Sequence, residues 1–457
     1  MWIFVVLLIF IQLVLLSLTI YYFYRHPFDI GNTLMIMFFV FYLFPAWDFY
    51  FDWGLFDRNI LNYFVALKSQ SQGLYLIFIT TMIMLFYYSG HIISLKFIKG
   101  TAKKKSKVKL KDASYSIKRI NSFIKILSIC WIAVFLYLFT KYDQSILLFF
   151  SPSRKEGLFE SSYISLIYLT LPLLILILIV LKSHLLNRKI SKVKMLYLLI
   201  ATFLIYMTSG QRREIIDLFI FVFVLLTHLK VVNIGEIKKF NQVKYKRKKI
   251  FQIGALSIVL VPLLWWSRVF FTQLQRNDNN VIMPWERRGF IELLFGSSSG
   301  GFNTLLLGLD HKRLFNLEWG YSVYFFITSF IPRKLLENKP IIINKLWEQD
   351  LNLIGNPSTF FVNEMYINFG IASIFFSFIF GLGLSYFYNK LYYSKDVFYN
   401  IYSYTLFSSV ILLFKNGFTQ FIINTLITLI LFHIVYIFIK KRGAYEKNNY
   451  NRKFQRL

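Results

Sequence analysis

The sequence predicts an all-α, polytopic integral membrane protein, with about eleven transmembrane helices and one long connection carrying short helices. Three observations predict it. Apolar runs of about 20 residues, the length that crosses a hydrocarbon core, recur along the chain. Of 457 residues, 56% are hydrophobic, 20% aromatic and only 16% charged, far more apolar than a soluble domain of that length. Mean hydropathy is +0.54. The basic residues also gather in alternate connections. Backbone in hydrocarbon must satisfy its own hydrogen bonds, so spans are helices or closed barrels. The apolar–polar alternation of a membrane barrel is absent.

The spans are expected near 2–24, 31–51, 73–95, 120–140, 161–181, 195–209, 214–230, 251–271, 366–388, 397–414 and 418–439. The first, "MWIFVVLLIFIQLVLLSLTIYYFYRH", has no basic start, no small-x-small cleavage site and too long an apolar run for a signal peptide. The sixth and seventh are short and meet at "TSGQRREIID". The chain accordingly divides into a bundle of eight spans at 1–271, a large loop at 272–365, three spans at 366–440 and a basic tail at 441–457. No internal repeat of fixed period is present. Within the loop, "GFIELLFG" and "YSVYFFITSFIP" are too short to span and suit interfacial or re-entrant helices.

Charge placement orients this array. One set of connections, with Arg25 and the tail, holds 33 of the 52 Lys and Arg. It holds only five acids: Asp29, Asp112, Glu236, Asp396 and Glu446. That set therefore carries 28 of the 30 net positive charges. Cytoplasmic connections of membrane proteins are the basic ones, so the N-terminus is expected outside and the C-terminus inside. A charge so distributed reports topology and attraction to anionic membrane lipid, and argues against nucleic acid as a partner. The large loop then lies outside, with nine bases balanced by nine acids.

Candidate site residues follow from charges at membrane depth, which default to function. The sixth span, 195–209, makes about 22 Å of helix, short of a hydrocarbon core of about 30 Å, so its junction with the seventh is expected to sink toward the membrane. Arg212 and Arg213 follow Gly210 there, in the first turn of the next helix. A helix start favours anions, so arginines at that place await one. The guanidinium fork suits phosphate oxygens. Arg268, in "WWSRVFF", and Arg276 extend the cluster, and Arg268 alternatively snorkels to the surface. In the loop, "GSSSGG" lacks the GK[ST] of a phosphate loop and reads as a flexible turn. His311 beside Asp310 is a candidate general base. Glu364, in "GNPSTFFVNEMYINFG", is expected at membrane level just before the ninth span, as a base or as a cap. Asp48, Asp52 and Asp57, in "PAWDFYFDWGLFD", lack the spacing of paired metal-binding carboxylates; an aromatic belt accounts for that stretch. With one cysteine, Cys130, no internal disulfide and no thiol-rich metal site forms. No metal and no cofactor is expected.

The architecture, the short turn "SGQRRE", "FIPRKLLENKP" in the late loop and "NPSTFFVNEMYINFG" after it resemble the Wzy-type O-antigen and capsular repeat-unit polymerases. The Arg-x10-Gly pattern of some members is not present. The resemblance implies a GT-C-like membrane glycosyltransferase in the bacterial cytoplasmic membrane. Its implied donor is a growing glycan on undecaprenyl pyrophosphate and its implied acceptor one lipid-linked repeat unit. A chain-length regulator and a flippase are implied partners, besides membrane lipids. Arg212, Arg213, Arg268, Arg276 and Arg333 would hold the pyrophosphate, and Glu364 or His311 would take the acceptor proton. The same features fit an O-antigen ligase, and a polysaccharide flippase or transporter is the alternative from another class.

Overall fold

In a computed structural model, the chain is described at residues 2–25, 29–53, 69–102, 116–141, 162–186, 299–308, 320–329, 360–394 and 396–440, with isolated positions between 331 and 346. Every described element is helical. Helix α1 is Trp2–Arg25. Helix α2 (Ile30–Phe38), a π-helical turn (Phe39–Leu43) and α3 (Phe44–Phe51) form one bent span. Pro45 explains the bend: it has no N–H to give to the turn before it and its ring crowds that turn, so the backbone widens there. Next come α4 (Gln70–Ala102), α5 (Ile117–Lys141) and α6 (Ser162–Leu185). Two short helices follow, α7 (Ser299–Gly308) and α8 (Tyr321–Ser329). Last are α9 (Phe361–Phe369), α10 (Ser373–Tyr392), α11 (Val397–Ser408) and α12 (Val410–Ile439).

Among the described residues, six helices are long and apolar enough to cross a membrane: Trp2–Tyr24, Ile30–Phe51, Gln70–Phe97, Ile117–Tyr137, Phe361–Tyr392 and Gly417–Ile439. The protein is a multi-pass membrane protein on that count. The expected spans at 195–209, 214–230 and 251–271 lie outside the described residues.

Contacts fix the directions of the helices. Gln12 on α1 donates to Thr81 on α4 and accepts from Trp47 on α3. With Phe4 against Phe78, α1 and α4 run the same way. Asp29 meets His91, so α2–α3 runs the opposite way. Helix α10 lies along α4 in the same direction, with Ser377 Oγ on the Ile83 carbonyl and Ser385 on His91. Ser377, Gly381 and Ser385 make a small-residue stripe at i, i+4 and i+8, which lets two membrane helices approach closely. A Cβ on Gly381 would stand 2.2 Å from the Tyr87 carbonyl oxygen, and one on Gly90 2.3 Å from that of Phe378. Arg119 at the start of α5 donates to the carbonyls of Phe438 and Lys440 at the end of α12. Arg25, Lys96, Arg119, Lys390 and Lys440 therefore share one end of the bundle, called the basic end below.

Two breaks depart from simple spans. The apolar run 361–392 is folded in two. At Gly370 the backbone turns through φ +52 and ψ −133, outside the range of an L side chain. Beyond it α9 lies back along α10, with Phe369 stacked on Phe376 at 4.2 Å and Phe361 beside Phe380 at 5.3 Å. The 20 residues of α10 alone make about 30 Å, enough to span. The sequence boundary at 365/366 thus falls inside α9. The second break is Gly417, at φ 82 and ψ 175 within α12. There the chain reverses: Tyr402 on α11 meets Thr425 and Phe432, and Asp396 meets Tyr436. The expected spans 397–414 and 418–439 meet at this break.

Candidate functional site

Short helix α9 carries the one sequence-nominated site residue among those described, Glu364. It is not at the mouth of a span, as the apolar pattern suggests, but inside a helix folded back into the bundle. It is 3% exposed. The reason is the Gly370 turn, which returns "FVNEMYINF" to the interior. Phe418 packs on Phe380 at 6.2 Å, seven residues into α10, so the Gly417 break lies about 10 Å below the start of that helix.

At that depth the break leaves backbone N–H groups of a new helix start that a group of the protein must bond. Glu364 does so. Its Oε2 accepts from Thr419 N at 3.2 Å and its Oε1 from the Thr419 hydroxyl. A carboxylate at a helix start is also favoured by the helix dipole. Gly417 leaves the room: a Cβ there would meet Glu364 Oε2 at 1.8 Å. Ser322 at the start of α8 faces the same carboxylate.

The other polar residues of α9 are joints as well. Asn368 accepts from Ser322 N at 2.7 Å, capping the start of α8, and donates to the Ser322 hydroxyl at 2.9 Å. Its Nδ2 also reaches the Glu364 carbonyl at 2.6 Å. Asn363 accepts from the Tyr42 hydroxyl at 2.9 Å and donates to the Gly301 carbonyl, in the first turn of α7, at 2.7 Å. Tyr42 is in the π-helical turn. Asn363 and Asn368 are fully buried. One nine-residue helix thus ties together the starts of α7, α8 and the second half of α12.

The remaining nominated residues, Arg212, Arg213, Arg268, Arg276, His311 and Arg333, lie outside the described residues, as does Asp57. "GSSSGG" is not simply a turn: Ser299, Gly300 and Gly301 already belong to α7. Asp48 is buried on α3, and Asp52 ends that helix in the left-handed region at φ 54. Trp47, Tyr50, Phe51 and Trp53 of the same stretch pack on one another. Among the described residues, no group of three or more His, Cys, Asp or Glu is placed to hold a metal ion.

Sequence reasoning passes over Asn363, Asn368, Thr419 and Tyr42. It also passes over a second buried acid, Asp29, which the charge tally assigns to a connection. The two asparagines stood in plain view: in an apolar helix, amides at 363 and 368 beside Glu364 signal buried joints. Thr419 and Tyr42 carry no such local signal, since their partners are 55 and 321 residues away.

Compared with protein-family models, with curated proteins and with solved structures, the chain matches none.

Proposed function

We propose that this protein is a membrane glycosyltransferase that joins lipid-linked oligosaccharide repeat units, of the Wzy polymerase type. In this reading it has about eleven spans in a GT-C-like arrangement in a bacterial cytoplasmic membrane, with the basic end cytoplasmic. The observation that carries the reading is Glu364. A carboxylate is held about 10 Å inside the bundle, toward the end opposite the basic one. It is carried by the stretch "NPSTFFVNEMYINFG" that resembles the polymerases. In this topology that end faces the compartment where lipid-linked repeats are assembled.

The chemistry is a substitution at the anomeric carbon of the donor. The acceptor hydroxyl oxygen forms the new bond to that carbon. The bond from carbon to the pyrophosphate oxygen breaks, and lipid pyrophosphate leaves with the electron pair. Negative charge grows on the pyrophosphate, and Arg212, Arg213, Arg268, Arg276 and Arg333 are the groups proposed to meet it. Glu364 is proposed to take the hydroxyl proton, with His311 as the alternative base. For Glu364 to act, the acceptor hydroxyl replaces the Thr419 hydroxyl as its donor, one for one.

The test is surface glycan on gels after Arg212→Ala, Arg213→Ala and Glu364→Gln, made separately. The expected result is loss of long ladders, with a single capped repeat retained and protein level unchanged. Long ladders in all three at normal protein level would sink the reading.

One observation favours a flippase or ion-coupled transporter as a second reading. Asp29 and His91 form a buried acid–base pair within the spans, and α12 is broken with a half-helix start facing a carboxylate. The null strain separates the two: a polymerase null keeps one capped repeat, and a flippase null shows none.

A further inference from the structure

Helix α5 stands at the edge of the described bundle. It packs on α6 and on α12 and presents the rest of its surface outward. One stripe of that surface is continuous. Lys118, Ser122, Lys125, Ile129, Ile132 and Leu136 follow one another at steps of three and four residues, so they share one helix face. All six are exposed, Ile129 at 66%. The stripe has two parts. Its first three residues are polar and its last three are aliphatic. Ser122 closes on the Lys118 carbonyl at 3.2 Å, which leaves the two lysines as the free polar groups of the first part.

Arg119 stands beside this polar part. Its Nη1 donates to the carbonyls of Phe438 at 3.3 Å and Lys440 at 3.0 Å, which pins the guanidinium between the start of α5 and the end of α12. Its Nε and Nη2 edge, and the ammonium groups of Lys118 and Lys125, make no hydrogen bond or ion pair with the described residues. Helix α5 has no acidic residue of its own. The connection before it, 103–116, holds six lysines against one acid, Asp112. Depth makes Lys125 the sharpest case. From Lys125 to the end of α5 is about 24 Å of helix, less than a hydrocarbon core of about 30 Å. A spanning α5 therefore draws Lys125 to the edge of the hydrocarbon, where a cation is costly unless an anion meets it.

We propose that this face of α5 binds an anionic glycerophospholipid of the leaflet at the basic end. The lipid phosphate takes donors from Lys118, Lys125 and the open edge of Arg119, and an acyl chain lies along Ile129, Ile132 and Leu136. The order of the stripe gives the chemistry. Cations stand nearest the basic end and aliphatic side chains follow toward the membrane centre, the same order as phosphate and acyl chain in a lipid of that leaflet. A soluble anion would use only the first part. A zwitterionic lipid would bring a cation of its own to the lysines. Ammonium and guanidinium both donate charge-assisted hydrogen bonds to phosphate, and the pinned guanidinium fixes where they converge. General attraction of a basic surface to anionic lipid is shared among all its lysines. The site proposed for α5 depends on three named cations. It lies at the end of the bundle opposite Glu364 and stands apart from the glycosyltransferase reading.

The chain supplies its own probe position. Its single cysteine, Cys130, is exposed next to Ile129, about one and a half turns beyond Lys125. Full-length protein carrying bimane on Cys130 is placed in vesicles of phosphatidylglycerol and phosphatidylcholine, with bromine on the acyl chains of one lipid at a time. Quenching then reports which lipid lies on the stripe. Phosphatidylglycerol should be preferred by about fivefold or more. Lys118→Gln with Lys125→Gln should abolish the preference. Lys96→Gln with Lys390→Gln removes two charges from α4 and α10 at the same end and should leave it. All four lysines are exposed, so neither double variant opens the interior. Equal quenching by the two lipids in the unaltered protein overturns the proposal. An equal fall in both double variants overturns it in favour of general attraction to the basic end. Quenching by neither lipid means that another part of the chain covers the stripe, and overturns it as well. Loss of the preference in inorganic phosphate, but not in chloride of the same ionic strength, assigns the cations to a free anion and overturns the lipid.

Discussion

Glu364 and Asp29 are both buried carboxylates at a helix start in one bundle, and they are completed differently. Glu364 meets a neutral partner, Thr419, which supplies a donor to each carboxylate oxygen. Asp29 meets Asn32 on its own helix and an ionisable base, His91, across a gap with unmet donors around it. The first arrangement is a joint: its geometry is closed by the protein alone. The second has spare hydrogen-bonding capacity and a partner whose charge can change. Burial alone does not separate the two; the completeness of the hydrogen bonding does.

The joint breaks most readily at Gly417. Gly417→Ala places a methyl group on Glu364 Oε2 and holds alanine at φ 82, so folding should lose about 4 kcal/mol, from steric overpacking and backbone strain together. Thermal unfolding in detergent, or loss of a monodisperse peak, measures it. An unchanged melting temperature would mean that the carboxylate and the break do not depend on each other.

The pair breaks at Asp29. Asp29→Asn takes away the carboxylate that faces His91 and caps α2, and the cost should be about 3 kcal/mol. Asp29→Asn combined with His91→Gln replaces both partners of the contact and should recover more than half of that loss. Equal melting temperatures for the single and double variants would show no coupling across the 2.8 Å contact.

Thr419→Val sharpens the comparison at Glu364. The valine keeps the shape and the backbone N–H but removes the hydroxyl donor, so stability should fall by about 2 kcal/mol, the range for a hydrogen bond to a charged group. Folding measured by unfolding temperature and glycan chain length measured on gels are then compared. If Glu364 is only a joint, chain extension falls in step with stability. If it is the base, chain extension persists although stability falls, since Thr419 is the donor that the substrate displaces.

The sequence made the long helices legible because hydrocarbon leaves no other pattern: α1, α4 and α5 read directly from their apolar runs. It also marked the Gly417 break, since "KNG" is the polar interruption between two such runs. The Gly370 reversal was not legible. "YINFGIASIFF" is apolar through the turn, and only a positive φ at one glycine folds it. Glu364 was legible as a carboxylate at membrane level but its partner was not, because capping across 55 residues leaves no local trace. His91 is one imidazole in the apolar helix that follows "FYYSG", and Asp29 falls among connection acids, so their meeting required the antiparallel packing of α2 on α4. The spacing of Ser377, Gly381 and Ser385 was the available clue that α10 packs closely on another helix.

The smallest expected effect comes from Tyr42, and it tests how far the joint extends. Tyr42 is fully buried in the π-helical turn and donates to Asn363, which in turn donates to the first turn of α7. Tyr42→Phe removes one oxygen and leaves the ring between Phe38, Phe302 and Phe360 in place. Asn363 then keeps its donor bond and loses one acceptor bond, so the loss should be about 1 kcal/mol. Coupling is the informative part. If α9 is a single rigid joint, Tyr42→Phe and Thr419→Val disturb one body from opposite sides. The double variant should then lose measurably more or less than the two losses added. Strict additivity would make Asn363 and Glu364 independent contacts that share a helix, and the hub on α9 would reduce to two separate caps.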